Sequence, residues 1–141
     1  MVQKETADRL IIKALEAREN AYAPYSRFRV GAALLTASGS VYTGCNIENA
    51  AYGPCNCAER TAFFKAISEG VRSFRAIAVV GAGETEHGSY TAPCGVCRQV
   101  MAEFCNPETF DVIMANMDRE YCVKTLGELL PDSFGAANLE I

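Results

Sequence analysis

Between residues 4 and 22, apolar positions return at helical spacing. Ile11, Leu15 and Tyr22 recur on one side of the wheel, while Lys13, Glu16 and Glu19 fall elsewhere. This predicts an amphipathic helix closed by Pro24. The rhythm then shortens: RVGAALLT (29–36) and VYTGCNI (41–47) read as strands joined by the turn ASGS, an antiparallel hairpin. Helical spacing resumes from Cys57 to Glu69, and Gly70 is a fitting stop. RAIAVVGA (75–82) is a continuous apolar run and suits a strand covered on both faces. Residues 83–93 read as loop and about 95–104 as helix. DVIMANM (111–117) and YCVKT (121–125) read as strands, and LGELL as a short helix before Pro131 and an irregular tail. The order α-ββ-α-β-α-β-β-α implies crossover connections and a partly parallel sheet. The expected fold is α/β: one domain over residues 1–141, in three α/β/α layers around a mixed five-stranded sheet.

Composition narrows what such a domain does. The 141 residues are 50% apolar and 21% charged, which suits a globular domain with its own core. The net charge is −4 and no Lys/Arg-rich run occurs, so the electrostatic footprint of a nucleic-acid binder is missing. The longest apolar runs are too short to span a bilayer, so no membrane partner is expected. MVQKETADRL carries no apolar signal core, and a cytoplasmic location is expected. There, seven cysteines point to metal, catalysis or burial more than to disulfides.

Two cysteine clusters carry the candidate chemistry. GCNIENAAYGPCNCAERTAFFKA (44–66) holds Cys45, Cys55 and Cys57, and APCGVCRQV (92–100) holds Cys94 and Cys97. Cys57, Cys94 and Cys97 all lie at or near predicted helix N-termini, where N–H groups and the helix dipole favour the thiolate that binds zinc. Three protein ligands describe a catalytic zinc with one position left for water, one ion per chain. Asn56 is the expected cap of the second helix, which places Cys57 in the first turn. Cys55 is hard to exclude on spacing alone. Cys45 reads as a small buried hydrophobe, Cys105 and Cys122 as fillers, and Phe63 and Phe64 as packing. Asn56-x-x-Glu59 also fits a capping box, a purely structural use of Glu59. His87, the lone histidine, reads as exposed and not a ligand.

Cys57-Ala58-Glu59 followed by Pro93-Cys94-x-x-Cys97 is the cysteine form of the zinc-deaminase signature, in which the glutamate is an acid/base and not a ligand. With YSRFRVGAAL (25–34), GCNIENAAYG (44–53), CAERTA (57–62), PCGVCRQV (93–100) and LLPDSFG (129–135), nearly the whole chain resembles the cytidine deaminase family in its small homotetrameric form. The resemblance implies that Cys57, Cys94 and Cys97 hold the zinc and that Glu59 shuttles protons. Phe28 would stack on the pyrimidine, Asn46 and Glu48 would bind the ribose 3′-hydroxyl, and the N–H of Ala58 would face the pyrimidine O2. Tyr52 and Phe134 would act across a subunit boundary. It also supports Arg60 as a donor to the ligand sulfurs, which offsets the charge of three thiolates. Arg29 stands where proline is common, GPCN (53–56) fills a variable stretch, and Ala92 replaces a frequent serine whose carbonyl is the group in use.

The implied reaction is hydrolytic deamination of cytidine or deoxycytidine to the uracil nucleoside and ammonia, as in pyrimidine salvage. Three rivals stand beside it. A structural-zinc interaction module needs a fourth ligand, for which Cys55 is the candidate. A polynucleotide deaminase fits poorly with the acidic balance and with a pocket closing around a 3′-hydroxyl. A deaminase of another small heterocycle shares the same core.

Overall fold

The computed structural model describes residues 1–85 and 88–139. The expectation for His87 lies outside them. The elements are α1 (Lys4–Arg18), β1 (Arg29–Thr36), β2 (Val41–Cys45), α2 (Ala58–Ser68), β3 (Phe74–Ala82), α3 (Gly95–Phe104), β4 (Asp111–Ala115), β5 (Tyr121–Thr125) and α4 (Leu126–Leu129), then a 3-10 turn at Ala136–Leu139. The sheet runs β2-β1-β3-β4-β5, with β3 and β4 parallel and every other pair antiparallel. The expected mixed five-stranded α/β fold is what forms.

Alternation along the strands divides the core into two layers. Ala33, Leu35, Ala76, Ala78, Val80, Ile113 and Ala115 face α1, which answers with Ala7, Leu10, Ile11 and Ala14. Ala32, Leu34, Ile77, Val79, Val112 and Met114 face the other way, against Ala58, Ala62, Phe63 and Ala66 of α2 and Cys97 and Met101 of α3. β3 is buried on both faces from Ala76 onward, as its unbroken apolar run requires. α2 and α3 therefore share one face of the sheet, and their N-termini carry the two cysteine motifs.

Several boundaries differ from expectation. α1 stops at Arg18, well short of Pro24. The Arg18 side chain turns inward and donates to the carbonyls of Arg29 and Ala82, both at 3.0 Å. Tyr22 pairs with the stretch after β2: its N–H donates to Asn46 O, and its carbonyl accepts from the N–H of Glu48. Those sheet-like bonds take the backbone groups a longer helix would use. β2 ends at Cys45, and beyond it Ile47 exchanges backbone hydrogen bonds with Asn56 at 2.9 Å in each direction. β4 ends at Ala115 because the buried Asn116 turns the chain, its Oδ1 accepting from the N–H groups of Asp118 and Glu120. Among the described residues no helix is long and apolar enough to cross a membrane.

Candidate active site

The pairing with Ile47 holds Asn56 in an extended segment, so Asn56 does not cap α2. Cys57 is the cap residue, with φ −77° and ψ 157°. Cys94 caps α3 in the same way, with φ −66° and ψ 166°. At both caps a thiol stands where an oxygen would usually meet the first N–H groups. Neither side chain makes a capping hydrogen bond to its own helix. The sulfurs meet each other instead: Cys57 and Cys94 lie 3.7 Å apart, and Cys94 and Cys97 3.5 Å. Among the described residues, these three form the group of side chains able to hold a metal. Cys55, the candidate fourth ligand of a structural-zinc module, is not in it; its sulfur bonds the backbone of Asn49. Zinc–sulfur bonds of about 2.3 Å in a tetrahedron put sulfurs about 3.8 Å apart, so the triad fits that ion with one corner free.

The Cys57 and Cys97 thiols shift in opposite directions. A hydrogen bond from Cys97, with further help from Arg60 and Cys94, brings the Cys57 thiol down to about 5. Cys97 is pushed upward, because it is the donor to Cys57 and is itself buried. Arg60 reaches Cys57 Sγ with Nη2 at 3.4 Å. Burial disfavours its guanidinium, but hydrogen bonds to the Cys57 and Cys97 sulfurs outweigh this and raise its pKa. Its buried Nε has no hydrogen-bond partner, which leaves donor capacity for a more negative sulfur cluster.

With Cys57 as the cap, Glu59 is the second helical residue of α2 and Arg60 the third. The Asn56–Glu59 capping box is therefore not available. Glu59 is only 4% exposed, and burial foremost pushes its carboxyl up to about 7, with the Cys57 sulfur adding to the rise. Ala58 opens α2, and its N–H is among the helix-end donors that lack an intrahelical acceptor.

A cleft of about 310 Å³ brings most of the candidates together. Its lining includes Phe28, Asn46, Glu48, Cys57, Ala58, Glu59 and Cys94, and also Ser26, Val30, Thr91 and Ala92. Asn46 braces the wall: its Nδ2 donates to Phe28 O at 2.8 Å and its Oδ1 accepts from Val30 N–H at 2.9 Å. A second hollow of about 240 Å³ shares Ser26 and Glu48 with the cleft and adds Tyr25, Tyr52 and Cys55. Tyr52 and Phe134 stand outside the main cleft and are highly exposed. Phe134 lies on the C-terminal segment, which is tied to the metal-motif helix: Gln99 Nε2 donates to Phe134 O, and Arg98 donates both to Leu129 O and to Pro93 O.

Sequence reasoning passed over Ser26, Val30 and Thr91. Ser26 and Val30 lie in the same short motif as Phe28, two residues to either side, and that proximity was the available signal. Thr91 sits in a loop with no pattern to mark it; its Oγ1 donates to Gly81 O beneath Phe28.

The family model for the cytidine and deoxycytidylate deaminase zinc-binding region matches residues 4–113. A cytidine deaminase of Sporosarcina psychrophila is 53% identical over 132 residues, 94% of this chain and 93% of its own. One of Halalkalibacterium halodurans is 55% identical over 130 residues, 92% and 95%. The crystal structure of cytidine deaminase from Burkholderia pseudomallei is 53% identical with a TM-score of 0.83, covering 94% of this chain and all of that one. That of Mycobacterium tuberculosis gives 42% and 0.75, over 91% and 96%. The motifs, the fold and these likenesses agree: the chain belongs to the cytidine and deoxycytidylate deaminase family.

Proposed function

We propose that this chain deaminates cytidine and deoxycytidine hydrolytically, with one zinc held by Cys57, Cys94 and Cys97, and that it serves pyrimidine salvage. The observation that carries the reading is a group of three sulfurs at zinc spacing, of which Cys57 and Cys94 line one cleft together with a buried glutamate that is not part of the triad. Bound zinc would acidify a water molecule, as it does in such open sites. Glu59 supplies the proton traffic. A carboxyl with its pKa near 7 can accept the water's proton and pass it on to the pyrimidine N3. Protonated N3 makes C4 electrophilic. The water oxygen then bonds to C4, Glu59 carries the proton of the new C4 hydroxyl to the amino nitrogen, and the C4–N bond breaks, releasing ammonia as the C4 carbonyl forms.

The remaining residues orient the nucleoside. Phe28 offers a ring face for the base. The N–H of Ala58 points a helix-end donor at the O2 carbonyl. Asn46 retains one Nδ2 hydrogen beyond its bond to Phe28 O, and Glu48 retains lone pairs; both serve the 3′-hydroxyl. Arg60 spreads the formal −1 charge that three thiolates and one Zn²⁺ would leave. In a homotetramer, Tyr52 and Phe134 would reach a neighbouring subunit's cleft, which their exposure permits.

The test uses zinc-loaded protein with cytidine, followed by the ultraviolet change to uridine. Glu59→Gln should lower kcat by about 10²–10⁴-fold while leaving zinc bound. No conversion by wild-type protein carrying one zinc per chain would refute the assignment. Activity retained in the variant would remove Glu59 from the chemistry.

A further inference from the structure

Ser26 lies between the two residues proposed to recognise opposite ends of the nucleoside. Its hydroxyl donates to Glu48 Oε2 and accepts the N–H of Phe28 at 3.0 Å. The other carboxylate oxygen, Glu48 Oε1, accepts the N–H groups of Tyr25 and Ser26 at 3.0 and 3.1 Å. On the far side of Phe28, its carbonyl accepts from Asn46. Both peptide groups of Phe28 are thus held by the sugar-side residues, directly through Asn46 and by way of Ser26 from Glu48. Between Ser26 and Phe28, Arg27 has φ +57°, a left-handed conformation that is uncommon for a residue with a side chain. A segment in that conformation needs its flanking bonds to hold it there.

We propose that Ser26 is a positioning residue that couples sugar recognition at Glu48 to the pose of the Phe28 ring. The inference rests on the nucleoside reading of the cleft given above. A hydroxyl has a single proton, and here Glu48 takes it while the Ser26 lone pair receives Phe28 N–H. Serial bonds of this kind polarise one another, so a carboxylate drawn towards a sugar hydroxyl alters the bond at Phe28. The sugar contact then helps set the slot in which the base reacts. Binding at a remote part of the substrate is in this way expressed in turnover and not only in affinity. A serine that merely stiffened the turn would affect every substrate alike.

The experiment compares kcat and KM for cytidine and 3′-deoxycytidine. In the wild type, loss of the 3′-hydroxyl should lower kcat as well as raise KM. In Ser26→Ala the kcat penalty should shrink about tenfold, the effect of one hydrogen bond, while the KM penalty stays. Ser26→Thr, which keeps the hydroxyl, should restore the wild-type split. An unchanged kcat penalty in Ser26→Ala would overturn the coupling. Ser26 is exposed, so the alanine variant removes one oxygen without opening the core. A ligand-free arm separates this idea from the deaminase reading. The backbone amide resonance of Phe28 should shift on Glu48→Gln and should lose that response when Ser26→Ala is added. An undiminished response would refute the link even if cytidine is a substrate. A lost response would sustain it even if cytidine is not.

Discussion

Gly44→Ala tests whether the spacing of α2 from the sheet sets the site. Gly44 sits in β2 opposite Ala32, beneath the first turn of α2. A Cβ there would lie 2.4 Å from Ala58 O, 2.6 Å from Ala62 N and 3.0 Å from Thr61 Cβ. Two of these neighbours are helix backbone, which cannot rotate aside. Ordinary contact begins near 3.4 Å, so the helix must retreat by about 1 Å. Cys57 and Glu59 ride on that end of α2, whereas Cys94 and Cys97 belong to α3. The displacement therefore stretches the sulfur triangle and moves the carboxyl relative to the substrate. Overpacking of this kind costs about 1–3 kcal/mol, and a misplacement of about 1 Å can cost about 100-fold in rate. Thermal unfolding should fall by several degrees, kcat/KM for cytidine by about 100-fold, and zinc affinity should fall with them. Gly83→Ala is the control, because a Cβ there meets nothing within 4 Å. Wild-type kcat/KM and zinc affinity in Gly44→Ala would refute the claim that this contact fixes the geometry.

Arg60→Gln should weaken zinc binding by about 10–100-fold in chelator competition and lower turnover in parallel, since a neutral amide cannot offset the sulfurs' charge; unchanged values in both would remove Arg60 from the site. Glu48 titrates below the ordinary carboxylate range, chiefly through its hydrogen bond from Ser26. Its contribution to the Tyr25–Ser26 turn is present above the unfolded carboxylate pKa and lost as pH falls through the lower folded value. A carbon-13 titration of the Glu48 carboxyl should show this low midpoint and its rise in Ser26→Ala; an unmoved midpoint would contradict the assigned cause.

The sheet was legible because its signals are local and repeated. The apolar runs in RVGAALLT and RAIAVVGA mark strands covered on both faces, and the structure buries both. The grouping of Cys57, Cys94 and Cys97 was legible because cysteines are rare and these sit at helix starts. The cap of α2 was misread for a tertiary reason. Asn56 is a good cap by propensity, but its backbone is committed to Ile47, which passes the role to the next residue. The end of α1 was missed on similar grounds, since Tyr22 gains more from pairing beside β2 than from another helical turn. Thr91 left no trace in any pattern. Its place in the wall depends on β3 ending at Ala82 and the chain returning beside Phe28, a long-range fact that no short window holds.

The C-terminal segment is fastened to α3 through the carbonyls of Leu129 and Phe134, held by Arg98 and Gln99. Every amino acid has a carbonyl, so this fastening does not depend on which side chains the segment carries. A side-chain change such as Phe134→Ala should therefore alter what the segment presents to a neighbouring molecule while these two attachments persist. Arg98 and Gln99 have no such freedom, because their side chains are the fasteners. Substituting Arg98 or Gln99 should therefore release the segment that carries Phe134, even though neither residue belongs to it.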